Sequence, residues 1–239
     1  MCRHVQKPGG AVVQRLIVIP IQAEIDCFLQ GCTELGVPIE AARLGRLPVV
    51  HLPEQGITVA HGGLGKVQFA LQTQHLLDAG PDWDVVICVG AAGALVDALA
   101  PGDIVVATET VEHDIRNKFG TPRLPRFRSA DTVLTALRQG PSARTAYTVH
   151  FGPIASGDED VVDRERRRAI HQVTGALAVA WEGAGGARAC HFSGVPFIEV
   201  RGITDHANGQ AAADFKLHLP SAMRHVARLI TAWTSTGHS

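Results

Sequence analysis

The chain has 239 residues, 46% hydrophobic and 19% charged, so apolar material for a packed core is ample and the composition is not that of a disordered segment. Its 22 basic and 23 acidic residues leave a formal charge of −1, which excludes the electrostatic footprint of a nucleic-acid or anionic-membrane binder. Nothing approaches the roughly 18 consecutive apolar residues of a membrane span, and residues 1–13 read as a flexible leader to one domain over 14–239.

The first predicted element is the strand "RLIVIPI", followed by a helix in "AEIDCFLQGCTEL" with apolar residues at Ile25, Phe28, Leu29 and Leu35. "LPVVHL" and "ITVAHG" form a hairpin around "PEQG". "GKVQFALQTQHLLDAG" is a helix with Val67, Leu71, His75 and Leu76 on its inner stripe and Gly80 as its stop. "DVVICVG" has the continuous apolar run of a strand buried on both faces, and "GDIVVATET" is another strand. "SADTVLTALRQG" is a helix between a Ser/Asp start and a Gly end. "AYTVHFGPIAS" is a strand, and "RERRRAIH" is a solvated helix face. "ALAVAWEGAGGARACHFSG" reads as strand, turn and helix. "VPFIEVRGIT" is the last strand, and "SAMRHVARLITAWT" is a closing amphipathic helix. This alternation predicts a single α/β domain with a central mixed twisted sheet flanked by helices on both faces.

In such sheets ligands bind beyond the strand ends, which singles out the residues after Ile19, Val89, Ile154, Val179 and Ile203. Three acids stand in those places: Glu24, Glu182 and Asp205. Each alone is explained as a turn or first-turn helix residue. Together at one sheet edge they repel unless a ligand uses them, and two opposed carboxylates suit cleavage of a glycosidic bond. The turn "VGAAGAL" after the buried strand lets the backbone approach a ligand at Gly90 and Gly93, but it is not a dinucleotide fingerprint. "HGGLGK" lacks the first glycine and the final Ser/Thr of a phosphate loop and reads as a tight strand-to-helix turn. The twelve histidines show no H-x-x-x-H, so no metal or cofactor is expected. The five scattered cysteines (Cys2, Cys27, Cys32, Cys88, Cys190) read as reduced thiols of a cytoplasmic protein.

"GGLGKV", "VGAAGALVDALAPGDIVVATE", "ASGDEDVV", "AVAWEGAG" and "VPFIEVRGITD" stand in the order and spacing of one family. The chain resembles the nucleoside phosphorylase/nucleosidase superfamily from about Leu16 to Thr231, and most of all the 5′-methylthioadenosine/S-adenosylhomocysteine nucleosidases. The resemblance implies a single α/β domain, usually dimeric or a larger homo-oligomer, that splits the N-glycosidic bond of a purine nucleoside. It implies that Asp205 protonates or bonds purine N7, that Glu182 grips the ribose hydroxyls, and that Glu24 activates water, with Asp26 a weaker match. Ala91 and Gly93 would line the sugar and base, with Asp160, Val161 and Thr204 completing the substrate pocket.

Phosphorylases of this family carry an Arg and a Ser where Cys88 and Ala91 stand, which favours water over phosphate as acceptor. An arginine lent by a neighbouring subunit, Arg43 or Arg46, would keep phosphorolysis open. Asp160 replaces the family's purine-stacking aromatic, and Trp181 replaces the methionine before the site glutamate and could supply the stacking face. The altered base pocket also leaves a non-catalytic nucleoside-binding protein as an alternative.

Overall fold

A computed structural model describes residues 13–120, 123–139 and 146–235. The expected leader and Gly140, the expected stop of a helix, fall almost wholly or wholly outside these residues. Among the described residues the strands are β1 (Arg15–Ile19), β2 (Glu40–Leu44), β3 (Leu47–Leu52), β4 (Ile57–His61), β5 (Val85–Ala94), β6 (Ile104–Glu112), β7 (Arg126–Arg128), β8 (Val149–Ser156), β9 (Ala178–Ala180) and β10 (Phe197–Asp205). The helices are α1 (Gln22–Glu34), α2 (Lys66–Ala79), α3 (Asp131–Gln139), α4 (Arg164–Thr174), α5 (Gly183–Ser193) and α6 (Ala211–Ser235).

The expected α/β architecture is present, with one mixed sheet. β1 runs parallel between β4 and β5, and the antiparallel strands β3 and β2 extend the β4 side. On the other side β5 pairs in parallel with β10, and β10 pairs antiparallel with β6. β6 pairs with β8 and β8 with β9, both parallel, and β9 returns antiparallel to β5 through Gly93 and Ala94. Five strands therefore close into a ring, a closure that periodicity alone does not announce.

Alternation along the buried strands feeds two cores. Ile17 and Ile19 of β1 and Ile87 of β5 pack with Phe28 of α1 and Met223 and Ile230 of α6. Leu16, Val18, Val86 and Cys88 pack on the opposite face with Phe69 and Leu76 of α2 and Cys190 of α5. Strands serving both faces read as unbroken apolar runs for this reason.

Four expectations are corrected. The inner stripe of α2 is Phe69, Thr73 and Leu76, whereas Val67 and Leu71 are 73% and 68% exposed. α2 turns this face inward because it packs on α5 at glycines: a Cβ on Gly186 would meet the Phe69 ring, and one on Gly185 would strike the Lys66 carbonyl. The glycine-rich segment is not a turn, because β5 continues through "VGAAGA", held by β10 on one side and β9 on the other. The last helix begins at Ala211 and carries Pro220 inside it. The edge strand β2 and the short β7 were not anticipated; both are largely exposed, so neither shows the apolar alternation that marks a strand.

Gly185→Ala is expected to destabilise the fold by about 1–3 kcal/mol, since its methyl has to displace backbone rather than a side chain. A thermal melt of the variant beside its parent checks this; an unchanged Tm would show that α2 and α5 can separate without cost.

Candidate active site

Glu24 is the third residue of α1, where a carboxylate is favoured by the helix dipole and can reach back to the backbone before the helix. Its Oε2 does accept the Ile21 N–H, at 3.4 Å. Its Oε1 accepts a shorter bond, 2.7 Å, from the Ala91 N–H of β5. The side chain is buried, and burial pushes its carboxyl up to about 7. The nearby Arg201 and the Ala91 N–H oppose that rise, while Glu182 adds to it. Asp26, the weaker match, faces solvent on α1 and accepts from the Gln22 amide at 2.7 Å.

Glu182 stands at the N-cap of α5 but does not cap it. The Ser156 hydroxyl takes the Ala184 N–H at 2.9 Å and donates to the Trp181 carbonyl at 2.5 Å. Glu182 is thus free to turn inward, where its Oε2 meets Arg201 Nη2 at 3.3 Å and its Oε1 accepts the Gly65 N–H at 3.3 Å. Burial raises its pKa, against the opposing charge of Arg201. It does not follow a strand parallel to those that precede Glu24 and carry Asp205. β9 runs antiparallel to β5, so the ring brings Glu182 in from the opposite direction.

Asp205 ends β10, where a bulge between Ile203 and Asp205 shifts the register against β5. Bulges of this kind re-aim a side chain. Asp205 Oδ1 accepts the Ala207 N–H at 2.9 Å, and Oδ2 accepts the Thr204 hydroxyl at 2.8 Å. Ala207 has φ +47°, so the aspartate does hold a strained turn. It also faces the cavity. Burial raises its pKa; the two donated bonds oppose the rise and Asp214 assists it. A Cβ on Gly93 would sit 2.9 Å from Oδ1, so glycine is what lets β5 pass so close.

One cavity of about 500 Å³ is lined by Glu24, Ala91, Gly93, Asp160, Val161, Trp181, Glu182, Thr204 and Asp205, all nine residues expected to line a site. Such a volume suits a small organic ligand. Phe215 and Lys216 of α6 close one side, and Leu64 stands at another.

The sequence reading missed Arg201. It is 1% exposed, lines the cavity, and lies among Glu24, Glu182, Glu199 and Cys88. Burial alone would lower the pKa of the guanidinium; the surrounding anionic groups outweigh it and hold the charge firmly. The Cys88 thiol, pushed well up by burial, stays neutral and sits 3.3 Å from Nη2. The available signal was a pair of charges, Glu199 and Arg201, two residues apart in an otherwise apolar strand.

The family model of the phosphorylase superfamily matches residues 14–234. A 5′-methylthioadenosine/S-adenosylhomocysteine nucleosidase of Actinobacillus succinogenes is 36% identical over 183 residues, which span 74% of this chain and 79% of that one. The crystal structure of the Helicobacter pylori 5′-methylthioadenosine/S-adenosylhomocysteine nucleosidase, complexed with a substituted pyrrolidin-3-ol, superposes with a TM-score of 0.83 at 27% identity. That superposition covers 94% of this chain and 99% of that one. The native structure of Helicobacter pylori futalosine hydrolase superposes with a TM-score of 0.82 at 27% identity, covering 94% and 98%.

Proposed function

The chain belongs to the phosphorylase superfamily, and on that premise we propose that it hydrolyses the N-glycosidic bond of a purine nucleoside, with a 5′-modified adenosine as substrate. The observation that carries water over phosphate as acceptor is the setting of Arg201. The buried cation nearest the reacting position is already engaged by Glu199 at 2.8 Å and Glu182 at 3.3 Å, and Glu24 stands beside it. A phosphate dianion placed there would meet carboxylates rather than an unpaired cation, and its burial would cost far more than that of water.

In this reading the base leaves with its bonding electron pair and Asp205 delivers a proton to it, so that a neutral purine departs. Positive charge grows on the ribose, and Glu24 takes a proton from the water that attacks the opposite face. Glu182 accepts from the ribose hydroxyls, with bonds that strengthen as the ring distorts. Trp181 offers an aromatic face in the same cavity, and Asp160 stands at its rim. Leu64, 55% exposed beside the cavity, continues into the exposed Val67 and Leu71 of α2. That apolar face supports a homodimer or larger homo-oligomer. The free state of Cys27, Cys32, Cys88 and Cys190 supports an intracellular location, and among the described residues no helix is long and apolar enough to cross a membrane.

The test is a panel of 5′-methylthioadenosine, S-adenosylhomocysteine, futalosine and adenosine, assayed for free base with and without phosphate. Base release without phosphate is the expected result. Release that requires phosphate and yields ribose 1-phosphate would move the assignment to a phosphorylase, with Arg43 or Arg46 of a neighbouring subunit as the cation. Binding without turnover of any member would leave a nucleoside-binding protein.

A further inference from the structure

Glu199 is fully buried, is absent from the cavity wall, and has no part in the chemistry above. It shares a face of β10 with Arg201, since residues two apart in a strand point the same way. Its Oε1 accepts from Arg201 Nε at 2.8 Å, and its Oε2 accepts from the Thr110 hydroxyl of β6 at 2.6 Å. Both oxygens therefore have donors of their own, one from β10 and one from β6. The carboxylate also occupies the place a Cβ would take on Gly183, the first residue of α5. It is therefore wedged between β6, β10 and the start of the helix that Glu182 precedes.

A guanidinium is a rigid planar fork, so fixing one edge aims the other. With its Nε edge on Glu199, Arg201 points Nη2 at Glu182 and Cys88, and Nη1 lies 3.4 Å from the Ala91 carbonyl. No hydrogen bond joins Arg201 to Glu24 among the described residues; Glu24 takes the Ala91 N–H instead. We propose that Glu199 is a positioning residue: by holding the Nε edge of Arg201 it keeps the guanidinium on Glu182 and off Glu24, and so leaves Glu24 free to act as the base. The proposal rests on the hydrolase reading for the word base, but not for the geometry.

The titratable groups around Glu24 are Arg201 from β10, Glu182 ahead of α5, Cys88 from β5 and Cys27 on its own helix, while Asp205 from β10 and Lys216 from α6 line the same cavity. Of these, Arg201 is the cation whose aim Glu199 controls. Neutralising Glu199 removes one anion and releases the fork toward Glu24. Both changes favour the ionised form of Glu24 and weaken it as a base.

The test compares the parent with Glu199→Gln and Thr110→Val in two measurements. In the first, the glutamate side-chain carboxyl carbons are labelled with 13C and titrated by NMR, with Glu24→Gln identifying the Glu24 signal. The Glu24 midpoint should fall by about one pH unit in Glu199→Gln and by less in Thr110→Val. In the second, the acid limb of kcat/KM for 5′-methylthioadenosine should move down with it, while kcat on the plateau falls about ten-fold and KM changes little. An unmoved Glu24 midpoint in a folded Glu199→Gln, whatever its Tm, overturns the proposal. Should Glu199→Gln fail to fold, Thr110→Val decides by the same midpoint. A parent that releases no base defeats the hydrolase reading alone, because the NMR midpoint is still read.

Discussion

Asp205→Asn is expected to lower kcat for 5′-methylthioadenosine by about 10²–10⁴-fold, with KM little changed. The amide has the shape of the acid and keeps its turn: its oxygen can still accept the Ala207 N–H that Asp205 Oδ1 accepts at 2.9 Å. The Thr204 hydroxyl, which now donates to Oδ2, has the Ala92 carbonyl 3.4 Å away as a second acceptor. What is lost is the proton. The burial that raises the Asp205 pKa keeps that proton available to a leaving purine, and an amide cannot donate it in the same way. A nucleoside methylated at N7 carries its positive charge before the bond breaks and needs no such proton. On it, the penalty of Asp205→Asn should largely disappear. An equal loss on both substrates would show that Asp205 holds the loop or the base and does not act as the acid.

Glu24→Gln is expected to remove hydrolysis by a comparable factor, about 10²–10⁴, and to make the protein more stable at alkaline pH. The parent's kcat/KM should rise with pH through about 7, where Glu24 loses its proton and becomes a base. The stability effect runs the other way. The carboxyl titrates near 4.5 in the unfolded chain and at about 7 in the folded one, so between those values the folded state binds the extra proton. Stability contributed by this group is complete below about 4.5 and is lost as pH rises through 7. Glutamine does not titrate. At pH 8 the variant should therefore exceed its parent by up to about 3 kcal/mol, and the gap should close in acid. Thermal melts at pH 5 and pH 8 measure it. A gap that is the same at both pH values would mean that Glu24 is not buried at the cost its surroundings imply. Higher stability with lost activity is the expected mark of a residue kept for chemistry.

The α/β architecture was legible because strands buried on both faces write unbroken apolar runs, as in "RLIVI" and "VVICV". The stripe of α2 was misread because Val67 and Leu71 look like core residues to periodicity, while the true contacts are made by Phe69 against Gly186 and by the Lys66 backbone against Gly185 of α5. Glu24, Glu182 and Asp205 were found as acids after strands, and the structure gathers them around one cavity. The direction from which Glu182 arrives was not found, since it depends on the ring closing through β9. Arg201 and Glu199 were passed over because each is a single charge in an apolar strand. Their spacing of two puts opposite charges on one face of a strand that is buried throughout, and that was the sign that they satisfy each other inside.

The ring has a consequence for the order in which the protein is made. β5 and β6 are joined by a short connection, yet they do not pair with each other along their lengths: β10 lies between them. While the chain is being synthesised, the edges of β5 and β6 that β10 will cover have no partner until residue 205 has emerged. The same late strand brings Glu199, Arg201 and Asp205 together. Every truncated product that ends before it lacks both the closing strand and those three side chains. The acids of the cavity are thus gathered in the same step that closes the sheet, by pairings far apart in sequence of the kind that fold slowly, and α6 then covers one side with Phe215 and Lys216.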